Sequence, residues 1–135
     1  MPRVPPVTRA AAQRLFALER ARFARLYPVC ADAVLAIVDA PCPDVMPDCG
    51  ERNVGWCYPA SGDVYLLSRA LLRGPATVTA LIRHELAHVA RPEASERATD
   101  ALASRVGGRL IRYDRDDLQT IAAHGRKRRP AYLPR

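Results

Sequence analysis

Between Thr8 and about Leu26, apolar residues return at helical spacing. Leu15, Leu18 and Leu26 share one side with the stem of Arg22, Phe16 and Phe23 stand one heptad apart, and the other arginines lie mostly elsewhere. The pattern predicts an amphipathic helix that Tyr27-Pro28 ends, since a residue before proline is pushed out of the helical region. The short apolar run Ala33 to Val38 fits a strand, with a helical turn as the alternative. Pro41 to Asn53 carries three prolines and Gly50 and reads as a loop. Gly55-Trp56-Cys57-Tyr58 and Val64-Tyr65-Leu66-Leu67 flank the turn residues Ser61-Gly62-Asp63, which predicts a hairpin.

Ser68 to Arg73 reads as a helical turn closed by Gly74-Pro75, and Thr77 to Ala90 as a longer helix. In that helix Val78, Ile82, Leu86 and Val89 form one stripe and Thr77, Leu81, His84 and His88 a second, with Arg83 facing elsewhere. A helix that is apolar on two sides belongs in an interior. Pro92 stops it, and a further helix is expected from about Ala94 to Val106, before Gly107-Gly108. Arg109 to Tyr113 is read as a last strand and Asp116 to Ala123 as a short helix capped by Asp114 or Asp116.

Length and composition narrow the setting. A chain of 135 residues, 49% hydrophobic, is one globular domain with a modest core, with no repeat and no apolar run of membrane-spanning length. Met1 to Pro6 lacks the apolar centre of a secretory signal, so the expected compartment is the cytoplasm. The net charge of +7 invites a nucleic-acid reading, but only one of the 21 basic residues is lysine, a skew that suggests GC-rich coding. The exception is Arg126-Lys127-Arg128-Arg129, a cluster that marks residues 126–135 as a basic tail on a 1–125 domain. It is a candidate contact for nucleic acid or an acidic partner, or else a solvated terminus.

The chemistry is concentrated in His84-Glu85-Leu86-Ala87-His88, which spells H-E-x-x-H. Residues four apart stack on one helix face, so the two imidazoles converge while Glu85 points beside them. Two neutral nitrogen ligands with an adjacent carboxylate base make the donor set of a zinc hydrolase, which needs a third protein ligand and an open position. Glu93, Glu96, Asp100 and His124 are the candidates. If two antiparallel helices meet in a tight turn near Pro92, residues with a constant index sum face each other: His88 and Glu96, His84 and Asp100. Glu96 is therefore the expected metal ligand, with Glu93 next, and Asp100 accepts the free N–H of His84 and fixes its tautomer.

The run from His84 to His88 followed by Glu96-Arg97-Ala98-Thr99-Asp100 resembles the gluzincin pattern of HtpX-like and ImmA/IrrE-like metallopeptidases, HExxH and then E-x-x-x-D, with Thr99 where alanine is usual. Seven residues separate His88 from Glu96, a compact spacing. SprT-like proteases share HExxH and a basic character but take a third histidine, for which only His124 is left after His88. The resemblance implies an α+β, minimal zincin-like domain: a small twisted sheet packed on the HExxH helix, with a following antiparallel helix. It also implies an edge strand lining the cleft, placed at Val64 to Leu67, where Val64, Tyr65 and Leu66 would hold an extended peptide.

The expected activity is zinc-dependent peptide hydrolysis through one catalytic zinc ion, Glu85 acting as general base on an activated water. His124, Tyr113 and Tyr132 are the candidate donors to the oxyanion. The alternative is a non-catalytic zincin-fold binding protein, nucleic-acid-associated through its tail. Cys30, Cys42, Cys49 and Cys57 form no C-x-x-C knuckle. A four-thiolate metal site and disulfides remain open for them, and free thiols suit a reducing compartment.

Overall fold

A computed structural model describes residues 5–40, 54–106 and 121–123. The elements are α1 (Arg9–Leu26), a 3-10 turn (Pro28–Asp32), β1 (Val34–Val38), β2 (Gly55–Tyr58), β3 (Asp63–Leu67), a second 3-10 turn (Ser68–Arg73), α2 (Pro75–Ala90), α3 (Glu96–Val106) and β4 (Ile121–Ala123). Together they make a small α+β domain. No helix is long and apolar enough to cross a membrane among the described residues.

Local chemistry explains the helix boundaries. Thr8 caps α1, its hydroxyl accepting from Ala11 N–H at 3.0 Å. Gly74 takes φ 94°, a left-handed conformation open to glycine, and Pro75 then supplies the first helical residue of α2. Ser95 caps α3 by accepting from Ala98 N–H at 3.1 Å. Between β2 and β3 the chain reverses through Gly62, φ 74°. A Cβ there would lie 3.3 Å from Ala33 Cα, so both the backbone angle and the space select glycine.

The sheet order is β1-β3-β2-β4, with β1 and β3 parallel, β2 and β3 antiparallel, and β4 parallel to β2. Alternation divides it into two faces. Leu35, Cys57, Val64 and Leu66 join the core that contains Phe16, Phe23, Leu81, Leu86 and their neighbours. Trp56, Tyr58, Tyr65 and Leu67 form a separate buried cluster, with Trp56 stacked on Tyr65 at 5.1 Å and Tyr58 meeting it edge-on at 5.9 Å. Side chains of α1 meet carbonyls along β1 and just before it: Arg20 donates to Ala33 O, Gln13 to Leu35 O and Arg9 to Ile37 O, at 3.0, 2.8 and 3.0 Å.

Three expectations are corrected. The strand Val64 to Leu67 does not lie at an edge; β1 and β2 pair with its two sides and all five residues of β3 are buried. Val64, Tyr65 and Leu66 therefore have no free backbone edge for a peptide. The unbroken apolar run signals burial of both faces of the strand but not which strands pair with its sides. Second, α1 buries Ala12, Phe16, Glu19 and Phe23, while Leu18 and Leu26 are 52% and 65% exposed. Leu15 and Leu18 instead border an open cleft of about 590 Å³ with Val7 and Arg14, remote from the histidines. The inverted face follows from Glu19, a charge that reads as solvent-facing but is neutralised inside by Arg83. Third, Ile121–Ala123 is a strand rather than the end of a helix. Pairing with β2 outweighs the helical preference of its two alanines. The expected loop at 41–53, strand at 109–113, cap at Asp114 or Asp116 and tail at 126–135 lie outside the described residues.

Candidate metal centre

The site is built on α2, which is buried on nearly all sides from Val78 to Val89. Cys30 and Glu19 flank it from the N-terminal part of the chain. The Cys30 thiol donates to Leu86 O at 3.6 Å, and Glu19 accepts from Arg83 Nε and Nη2 at 2.7 and 3.1 Å. Its remaining long side contacts α3, which runs back along it.

That reversal juxtaposes the residues singled out from spacing. His84 Nε2 lies 3.1 Å from one Glu96 oxygen and His88 Nε2 lies 3.2 Å from the other, so one carboxylate bridges both imidazoles. One ligand-capable atom from each of the three residues falls within 4.8 Å of the others. Asp100, one turn further along α3, sets Oδ1 3.9 Å from His84 Nδ1, the ring nitrogen turned away from Glu96. His84, Glu85 and His88 are buried, whereas Glu96 is 62% exposed and opens the cluster toward solvent. Glu93 has no part in it. His124 and Arg126, Lys127, Arg128 and Arg129 are not among the described residues, nor are Tyr113, Tyr132, Cys42 and Cys49.

The electrostatics match this geometry. Contacts with His84 and His88 hold Glu96 down at about 2, against the desolvation that would raise it. Burial works against charge on His88, but its hydrogen bond to Glu96 and the nearby Glu85 and Glu96 charges prevail, and its pKa is raised. Glu85 is fully buried, and desolvation pushes it up to about 8 despite His88 and the Cys57 thiol, both of which favour its anion. Cys57 is the residue that the sequence reading missed at this site. It is raised well above the usual thiol value by burial and by Glu85, and so remains an S–H. Its strand position facing α2, opposite the HExxH helix, was the available signal. Cys30 and Cys57 are free thiols.

These values predict how the metal-free protein responds to pH. The Glu85 carboxyl, at about 8 in the fold and near 4.5 in the unfolded chain, keeps its proton in the fold after the unfolded chain has lost it. Stability therefore falls as pH rises through this window, by about 1.4 kcal/mol per pH unit. His88, raised from 6.5, acts in the same direction above that value. Glu96 acts oppositely and lower, losing its stabilisation as pH drops from 4.5 toward 2. Chelator-treated protein melted between pH 5 and 8 should lose stability across the range, and Glu85→Gln should flatten the slope. An unchanged slope in that variant removes Glu85 as its cause.

Comparison with known protein families, with curated proteins and with solved structures finds no match to this chain.

Proposed function

We propose that the chain is a small zinc-dependent peptidase of gluzincin type, with His84, His88 and Glu96 as metal ligands and Glu85 as general base. One observation carries this reading: both imidazole Nε2 atoms converge on one carboxylate beside a buried glutamate whose oxygens accept no well-formed hydrogen bond among the described residues. Two imidazoles and a carboxylate are a donor set that suits catalytic zinc and leaves one position open. When bound, the metal supplies Lewis-acid chemistry, bringing a water to a pKa of about 7 and polarising a carbonyl.

The residues divide the remaining work. Asp100 faces Nδ1 of His84 and favours the tautomer whose Nε2 lone pair is free for a metal. Glu85 takes a proton from the attacking water and returns it to the leaving amine. Burial raises its proton affinity in the metal-free protein, and a cation held by His84, His88 and Glu96 would bring it back toward the anion that accepts a proton. The buried free thiols Cys30 and Cys57 accord with a reducing compartment, and we place the protein in the cytoplasm.

The ligand assignment is tested by metal titration. Wild-type protein should take up one zinc ion per chain and hydrolyse an unstructured protein substrate, with activity lost to chelator and restored by zinc. Glu96→Ala should weaken zinc binding at least about tenfold, while Glu93→Ala leaves it unchanged. Weakened binding in Glu93→Ala alone would transfer the ligand role to Glu93.

A further inference from the structure

We propose that the open cleft beside α1 is a docking site for an acidic, apolar peptide segment of a partner protein. It stands apart from the metal centre, since none of His84, Glu85, His88 and Glu96 lines it. Ala11, Leu15 and Leu18 follow one another at helical spacing along one wall, and Val7 and Pro75 add to the apolar lining. Leu18 is 52% exposed, although the same helix buries Phe16 and Phe23. From Ala11 to Leu18 the wall runs about 10 Å, the length of three extended residues. The apolar surface is concave, which suits an inserted side chain, whereas a bilayer calls for a raised apolar face.

Charge selects the occupant. Five arginines lie on α1 with a single acid, Glu19. That acid is buried against Arg83 and also accepts from Arg22. Arg9 pairs with Asp39, and Arg20 donates to Ala33 O. Arg14 is exposed, is the one charged side chain lining the cleft, and pairs with no acid among the described residues. A guanidinium beside apolar walls is complementary to a carboxylate next to a bulky apolar side chain. A second copy of this face brings the wrong sign, because its α1 is cationic too. The cleft is also held in shape before anything binds. Val7 N–H donates to Leu71 O at 2.8 Å, while Thr8 and Pro75 fix the starts of α1 and α2.

The test titrates the full metal-free chain with a synthetic peptide, Gly-Glu-Asp-Leu-Phe-Glu-Asp-Gly, and follows backbone amide shifts by NMR. Binding should saturate below about 1 mM, with the largest shifts at Ala11, Arg14, Leu15 and Leu18. Arg14→Glu should weaken it at least about tenfold, and a peptide with lysine at each acidic position should bind that variant better than wild type. Leu18→Ser should weaken it at least about fivefold. Arg25→Glu reverses the same charge about 16 Å further along α1, beyond the screening length, and should change affinity less than about twofold. Arg14 and Leu18 are both exposed, so these variants should melt like the wild type. Equal losses from Arg14→Glu and Arg25→Glu overturn the site in favour of general charge attraction. Absence of saturable shifts, or full binding in Leu18→Ser, overturns it as well. Binding to phosphatidylserine vesicles but not to the peptide would make the face a lipid contact and overturn the peptide assignment. No metal enters the measurement, so its outcome is independent of whether the chain is a peptidase.

Discussion

Glu85→Gln is expected to retain its zinc and lose hydrolysis, with kcat reduced about 10²–10⁴-fold. The substitution is nearly isosteric and leaves His84, His88 and Glu96 unaltered, so metal content and affinity should match wild type. What disappears is the group that accepts a proton. No second base stands ready among the described residues, since Glu96 is engaged by both imidazoles and Asp100 faces the far nitrogen of His84. Side-by-side zinc analysis and initial rates on one substrate decide the matter. A variant that turns over like wild type removes Glu85 from the mechanism, and loss of zinc would make it a structural residue instead. Retained zinc with no activity in either protein would favour a binding role for the domain.

Glu19→Ala is expected to destabilise the fold by about 3–5 kcal/mol. Glu19 and Arg83 are 2% and 5% exposed and join α1 to α2 through two hydrogen bonds. Arg83 Nη1 already has no partner, so Glu19 is the sole acceptor of this guanidinium among the described residues. Removing it strands a charge in the interior. The reverse change is milder, because in Arg83→Ala the carboxylate keeps Arg22 Nη1 at 3.1 Å. Arg22→Ala, on the half-exposed side of the group, should cost less than about 1 kcal/mol. Urea unfolding of the three variants should give that order. Replacing Glu19 and Arg83 together by leucine and methionine should recover much of the loss, as apolar side chains of similar volume often substitute for a buried ion pair. Equal effects from Glu19→Ala and Arg22→Ala would show that burial is not what gives the pair its importance.

Most elements and their approximate ends were legible because they rest on short-range chemistry. Thr8, Gly74-Pro75 and Pro92 bound helices through interactions within a turn of their own position, and the Tyr58-to-Asp63 reversal follows from residues inside it. The facing of Glu96 with His88 and of Asp100 with His84 was legible for a related reason. A short connection between two helices leaves little freedom of register, so index sums become distances. Sheet order was not legible, because a strand does not encode which strands will flank it. The buried face of α1, expected along Leu15, Leu18 and Leu26, lies instead along Ala12, Phe16, Glu19 and Phe23, because Glu19 meets a partner 64 residues away. Cys57 escaped notice because its importance depends on what the sheet carries it toward. The segment Ile121–Ala123 takes its conformation from β2 rather than from its own residues.

The contacts that α1 makes along β1 have a consequence for how the chain avoids sticking to itself. Arg9 and Gln13 occupy alternate carbonyls of β1, and Arg20 the carbonyl just before it, groups that would otherwise be presented to another molecule. The same helix covers the apolar side of the sheet with Phe16 and Phe23. Peeling α1 away would uncover hydrogen-bonding groups and greasy surface in a single event. A partly opened molecule is then dangerous to its neighbours before it is fully unfolded. Because α1 precedes β1 in the chain, the helix is synthesised before the strand it covers.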